Sequence, residues 1–287
     1  MGRFCRTCLV CSLLLVGACS STTFFYNRLD FILPWYLDDY AQLNREQEKY
    51  LDEILAPFLA WHRSEELPRY LEILDQIEQS LDQPLTAQDI AAISAEFENA
   101  WFRLEGEALD WLLDLGGRLT DEQMQDFMQE LREQQREFEE KYLTRSDEKF
   151  HQESYESLLD NMQDYLGRLN SDQRQLLRDA GDGLLRSDRI WLRERELWLQ
   201  QLAVLLQREP GWEQRVRDAI AARNDTVSPE YLHVYEHNLR LVHSAIAQLL
   251  NSRTPRQDKR LRQKLADLRE DLETLIAQGK KAAAKAA

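Results

Sequence analysis

The sequence predicts an all-α protein, and three observations carry that prediction. Gly and Pro are sparse, at 10 and 7 of 287 residues. That is too little punctuation for a β-sandwich or barrel, or for the strand–helix junctions of an α/β fold. Much of the remainder is Leu, Ala, Glu, Gln, Arg and Asp, most of which propagate helices readily. Five segments open with a Thr or Asn followed three positions later by Gln or Asp, the signature of a capped helix start. With hydrophobic residues at 43% and charged residues at 30%, the chain is neither a polytopic membrane protein nor a disordered polyanion. Within the all-α class, the patterning described below predicts an elongated multi-helix bundle with one long heptad-patterned arm. The charge balance, 36 Lys+Arg against 51 Asp+Glu or −15 formally, gives a pI near 4.9. It disfavours nucleic acid as a partner, because phosphate contacts need clustered cations.

The first element is an address. All four cysteines, Cys5, Cys8, Cys11 and Cys19, fall in the first 19 residues. Cys5-x-x-Cys8-x-x-Cys11 has a spacing that metal sites use, but its context is that of a secretory signal. Arg3 and Arg6 precede an apolar stretch over residues 9–16, and Gly17 and Ala18 then precede Cys19, which is the n-region, h-region and small-residue cleavage pattern. The apolar stretch is too short to span a hydrocarbon layer of about 30 Å. The tetrad Val16-Gly17-Ala18-Cys19 resembles the bacterial lipobox. That resemblance implies cleavage before Cys19, lipid on its thiol and acylation of the new amino terminus; the alternative is an ordinary cleaved signal. Ser20, in place of Asp, resembles the pattern sorted to the outer membrane. The expected organisation is therefore a signal peptide at 1–18, a lipidated Cys19 with tether and aromatic segment at 19–40, one helical periplasmic domain at 41–278, and a disordered basic tail at 279–287. Removing Arg3 and Arg6 takes the formal charge from −15 to −17. No cysteine follows Cys19, so no disulfide is expected to staple the domain even in an oxidising periplasm.

Residues 24–40 are dense in aromatics. Two readings stand side by side: a lid packed on the core, or an interfacial belt touching lipid headgroups beside the anchor. Helix starts follow at Asn44-x-x-Gln47, Thr86-x-x-Asp89, Thr120-x-x-Gln123, Asn170-x-x-Gln173 and Thr254-x-x-Gln257, with Ser228-Pro229-Glu230 as a sixth. Each cap side chain accepts an orphan N–H of the first turn, and the residue three along reaches back to the cap's own N–H. Expected stops are Gly116-Gly117 for the helix begun at Thr86, Pro210-Gly211 for the one begun at Asn170, and Asn224-Asp225 before Ser228. Pro57 is expected to kink the first long helix. Pro68 is tolerated in a first turn if Ser64 is the cap. Met124, Met128, Leu131, Gln135, Phe138 and Tyr142 form a heptad seam with one polar member. This is the arm, which pauses near residues 144–146, and its expected partner is the helix carrying Trp191, Trp198, Leu202 and Leu205.

Chemistry-bearing constellations are few. There is no Gly-rich phosphate loop, no G-x-S-x-G elbow and no cysteine nucleophile after Cys19. Two Glu-x-x-His pairs, Glu148/His151 and Glu230/His233, have the spacing that places both side chains on one helix face, as carboxylate-bridged di-metal sites require. Both glutamates also sit about two positions after Ser146 and Ser228, where a carboxylate serves the helix N-terminus without any metal. His233 and His237 share an i, i+4 face but lack a third ligand. The most distinctive internal stretch is residues 61–70, where Trp61, His62, Arg63, Glu66, Arg69 and Tyr70 mix aromatic, basic and acidic groups. It reads either as a helix–helix corner held by Arg–Glu pairs or as a recognition corner.

Taken with the lipobox and Tyr36-Leu37-Asp38-Asp39-Tyr40, this corner makes the chain resemble an uncharacterised family of Gram-negative helical lipoproteins, classed as a domain of unknown function. The resemblance covers most of the mature chain and implies location and fold without an activity. Leu119-Thr120-x-x-Gln123 also resembles the L-T-x-x-Q motif of small periplasmic stress chaperones, with near matches at Leu43-Asn44-x-x-Gln47 and Leu169-Asn170-x-x-Gln173. The expected role is non-enzymatic binding or scaffolding of an envelope protein or an unfolded or cationic polypeptide. The expected localisation is lipid anchorage at the outer membrane facing the periplasm, with the lipid on Cys19 and no cofactor. The alternative is a helical metal-binding protein or di-metal carboxylate enzyme built on the two Glu-x-x-His pairs.

Overall fold

The computed structural model describes residues 21–286, so Cys19 and the signal segment lie outside the described residues. The fold is all-α, with no strand among the described residues. Two short helices, α1 (Ser21–Tyr26) and α2 (Leu29–Asp38), open the chain. Next come α3 (Arg45–Trp61), a π-turn (His62–Glu66) and α4 (Leu67–Ser80), which together form one interrupted rod. Two long helices follow, α5 (Ala87–Arg118) and α6 (Asp121–Leu143). The rest are α7 (Asp147–Leu166), α8 (Ser171–Gly183), α9 (Asp188–Leu205), α10 (Trp212–Ala222), α11 (Pro229–Asn251) and α12 (Pro255–Ala286). None of the described helices is long and apolar enough to cross a membrane.

The expected starts are where the sequence places them, because capping is a local interaction. Asn44, Thr86, Thr120 and Asn170 each make both halves of a capping box. Thr254 does the same with Gln257, while Ser146 and Ser228 cap through their side chains alone. Some stops differ from the expected positions. Helix α5 runs through Gly116-Gly117 to Arg118 and ends where Leu119 turns extended. The helix expected from Asn170 to Pro210 is two helices, α8 and α9. Between them, the Asn238 side chain accepts the Leu185 N–H and donates to the Leu185 carbonyl, both at 2.8 Å, and so offers the backbone a partner outside the helix ladder. Asn251 grips Leu85 by the same two bonds. The tail expected to be disordered is helical to Ala286; its Lys and Ala residues are strong helix formers.

Four of the helix starts are joined in pairs. Gln47 Nε2 donates to Gln123 Oε1 (2.9 Å) and to the Arg118 carbonyl (2.8 Å). Gln123 Nε2 returns bonds to Gln47 Oε1 (2.8 Å) and the Gln42 carbonyl (2.5 Å). The second pair repeats the arrangement. Gln173 Nε2 donates to Gln257 Oε1 (3.0 Å) and the Ser252 carbonyl (3.2 Å), and Gln257 Nε2 donates to Gln173 Oε1 (2.9 Å) and the Arg168 carbonyl (3.1 Å). In every case the carbonyl lies two residues before the partner's cap. Each Oε1 also accepts its own cap's N–H, so each amide uses both donors and both lone pairs. The two glutamine clasps fasten the start of α3 to that of α6, and the start of α8 to that of α12.

The largest apolar core lies among α4, α7, α8, α11 and α12, where Leu67, Leu74, Leu169, Leu177, Leu249 and Leu275 are all buried. Helices α7 and α8 approach closely: a Cβ on Gly181 would fall 3.0 Å from the Tyr155 backbone nitrogen. A second cluster gathers Leu113, Leu205, Trp212 and Val216, and a third gathers Leu51, Leu55 and Leu115 beneath Leu33 and Leu37 of α2. The heptad seam of α6 faces α9, as expected. Its polar member, Gln135, is buried and accepts from Arg195 Nη1 at 2.6 Å, while its Nε2 reaches the Leu192 carbonyl at 3.2 Å. Phe138 packs against Trp191 beside it, the rings tilted by 53° with centroids 5.4 Å apart.

Candidate functional site, a tyrosine–histidine corner on a π-turn

The corner at residues 61–70 is built on the π-turn, and Pro68 explains why a π-turn is there. Proline has no N–H, and its ring clashes with the carbonyl four residues back, which belongs to Ser64. The ladder slips one position to avoid it, and the Leu67 N–H bonds to the His62 carbonyl. Ser64 therefore caps nothing; its hydroxyl donates to the Trp61 carbonyl. The extra residue rotates the preceding turn, so that His62 and Glu66 both aim into the protein rather than along the α-helical stripe.

Glu66 is fully buried, at 0% exposure. Arg103 of α5 grips it in a two-toothed fork, with Nε 2.9 Å from Oε1 and Nη2 2.9 Å from Oε2, and Arg69 adds a bond from Nη1 to Oε1 at 2.5 Å. Arg103's guanidinium is held above its ordinary pKa by that hydrogen bonding. One turn earlier, His62 lies between two phenols, with its Nδ1 2.7 Å from the Tyr26 hydroxyl and its Nε2 3.4 Å from that of Tyr70. Burial pushes both tyrosines up to about 12 and His62 down to about 4. At neutral pH the imidazole is thus uncharged and both phenols keep their protons. One ring nitrogen of a neutral imidazole donates and the other accepts, so the two hydroxyls play opposite roles.

The corner ties helices together. Arg63 donates to Asn27 at 2.9 Å and lies over the Tyr26 ring. Its stem passes close to Gly279 of α12, where a Cβ would come within 3.2 Å. Trp61 contacts the Phe58 ring, which in turn meets Trp111. Nearby, Thr23 donates to the buried Asp271 of α12 at 2.7 Å. The six residues singled out in the sequence thus converge, joined by Tyr26 of the aromatic segment and by Arg103, which the sequence did not mark, while Asp271 pins α1 close by. Arg103 left a trace, being the single cation of α5 before its last turn. The chemistry available is positional: a neutral Tyr–His–Tyr chain beside a neutralised carboxylate locks α1, α4, α5 and α12 at one junction.

The two Glu-x-x-His pairs stand at separate helix starts, on α7 and α11. His151 Nδ1 is 3.0 Å from the Gly181 carbonyl, and Glu230 accepts from Arg193 at 2.8 Å. Likewise His237 Nε2 lies 3.0 Å from the Gly183 carbonyl. Among the described residues no three His, Cys, Asp or Glu side chains are grouped to hold a metal ion. The L-T-x-x-Q glutamine, Gln123, is used in the first clasp.

A shallow groove runs along the arm between α6 and α9. Leu143, Leu192 and Leu197 floor it, and Glu139, Glu196, Arg189 and Arg193 stand at its edges. Leu197 is 54% exposed.

No curated protein and no solved structure matches the chain. One protein family does: its model spans residues 39–232, which takes in the corner, both helices of the arm and the first clasp. The chain belongs to this family, described as a family of unknown function (DUF6279).

Proposed function

We propose that this protein is a non-enzymatic binding or scaffolding protein of the bacterial envelope, held at the outer membrane through acylated Cys19, that takes an extended or unfolded polypeptide on the arm formed by α6 and α9. The groove carries this reading. Its leucine lining is open to solvent at Leu197, and charges of both signs line it beside the leucines, which suits a partner with both apolar and charged side chains. The formal charge of −17 left after removal of Arg3 and Arg6 steers basic segments toward it and repels anionic surfaces. Anchorage rests on the Val16-Gly17-Ala18-Cys19 tetrad.

A photo-crosslinking residue at Leu197 tests the groove. In intact envelopes it is expected to give discrete protein adducts that the same probe at exposed Glu273 does not. An unfolded basic polypeptide added to purified protein is expected to compete for the site. Equal labelling at both positions, with no competition, overturns the reading. Labelling with a palmitate analogue tests the anchor, and label that persists after Cys19→Ser rules it out.

A further inference from the structure

We infer that the face of α1 and α2 carrying Phe24, Phe25, Phe31 and Trp35 lies in the headgroup boundary of a zwitterionic lipid leaflet. Among the described residues ten large hydrophobic side chains are exposed, and five of them fall between Phe24 and Tyr36. Every aromatic in that set is here, with Phe31 at 73% and Trp35 at 63% exposure. Phe31 and Trp35 are four residues apart on α2 and so share a face. A soluble surface seldom gathers aromatics in this way without something to cover them.

The face is mounted firmly. The opposite side of α2 sends Leu33 and Leu37 into the cluster of Leu51, Leu55 and Leu115. Helix α1 is pinned by the Thr23–Asp271 and Tyr26–His62 bonds, each at 2.7 Å. The aromatics therefore point outward because their helices are fixed by the rest of the protein.

Chain position identifies what covers them. Phe24 is five residues after Cys19, and five residues reach at most about 18 Å when fully extended. A lipid on Cys19 holds this face within reach of the interfacial zone, which extends about 5–8 Å on each side of the hydrocarbon. Trp concentrates at that depth, and Phe joins it on the buried face of helices that lie in the interface plane. Arg28, its guanidinium 4.3 Å from the Phe24 centroid, can lay its stem along the rings and its charge among phosphates. Asp30 and Asp38 are also exposed on these helices, which disfavours an anionic lipid surface and selects a zwitterionic one.

This inference rests on the lipid-anchor reading, and the experiment separates the two. Mature acylated protein is placed in phosphatidylcholine vesicles with brominated acyl chains, and tryptophan quenching is compared with that of Trp35→Phe. Most of the quenching is expected to vanish in the variant; equal quenching overturns the inference. In parallel, the unacylated Cys19→Ser chain is floated with the same vesicles. Phe31→Ser and Trp35→Ser are each expected to weaken partitioning about tenfold, with unchanged thermal melts. Val204→Ser, an exposed apolar site elsewhere, is expected to leave partitioning unchanged. Acylation without aromatic-dependent contact would leave the anchor standing and sink this proposal. Aromatic-dependent flotation of a natural chain without acyl mass would do the reverse. Dimerisation through Phe31 and Trp35 without flotation assigns the face to a second copy and also overturns the inference.

Discussion

Replacing Arg103 with Met removes the fork that neutralises Glu66 and leaves most of the surrounding packing in place. Glu66 is completely buried. In the variant it keeps a single charged partner, Arg69, whose side chain is 46% exposed. Three bonds from Arg103 disappear. Hydrogen bonds to charged groups are worth about 1.5–3 kcal/mol each, but these three act as one unit. Breaking a buried ion pair from one side costs about 3–5 kcal/mol. Because Arg69 remains, a loss near the lower end, about 3 kcal/mol, is expected for Arg103→Met. For a chain of this size that is roughly 6–10 °C in melting temperature. Arg103→Lys keeps the charge without the fork and is expected to fall between the variant and the natural protein. The decisive comparison is the double variant Glu66→Leu with Arg103→Met, read by urea denaturation. Removing both partners together leaves no orphaned charge, so the double variant is expected to recover most of the stability. If Arg103→Met alone unfolds within about 1 kcal/mol of the natural protein, Glu66 is hydrated in solution and this account of the corner is wrong.

Three further outcomes are expected. Gln257→Leu opens the second clasp, leaving Thr254, Arg168 and Gln173 each short of a partner; a loss of about 2–4 kcal/mol in chemical denaturation is expected, and one below 0.5 kcal/mol would show that water replaces the amide. His62 is held near 4 in the folded protein against about 6.5 when unfolded, so the unfolded chain binds the extra proton between those values. Stability is therefore expected to fall as pH drops from 6.5 toward 4, by about 2 kcal/mol, and His62→Gln is expected to flatten that slope; an unchanged slope would place the titration elsewhere. Elemental analysis of protein purified without chelator is expected to find no stoichiometric metal, since the His151 and Glu230 ligand atoms already have partners; about two Fe or Mn per chain, lost in Glu148→Ala or His233→Ala, would establish a metal site.

Local chemistry was legible in the sequence and distant pairing was not. Each capping box is decided within four residues, so Asn44, Thr120, Asn170 and Thr254 announce their helices. That their glutamines meet across 76 and 84 positions depends on how the helices pack. A hint was present, since Gly117-Arg118-Leu119-Thr120-Asp121-Glu122-Gln123 and Gly167-Arg168-Leu169-Asn170-Ser171-Asp172-Gln173 are near repeats and each supplies one half of a clasp. The break at residues 184–187 was missed because Asn238, 53 positions away from Leu185, makes it. The corner was visible as an unusual composition, while Tyr26 and Arg103 reach it from helices that only the fold brings near. The heptad seam of α6 was legible because one face of one helix meets one partner; that its polar member Gln135 meets Arg195 was not.

The largest core joins α4 to α12, and Thr23 at the beginning of the described chain is bonded to Asp271 near its end. A polypeptide made amino terminus first delivers these partners far apart in time. The first clasp can close once residue 123 has emerged, but the wall against which α1 and α4 rest arrives only with α12. A product lacking α12 would have the central leucines of that core uncovered, and proteases would find it in that state. Closure of the largest core thus waits for α12, and the Thr23 bond to Asp271 forms only when that helix has arrived.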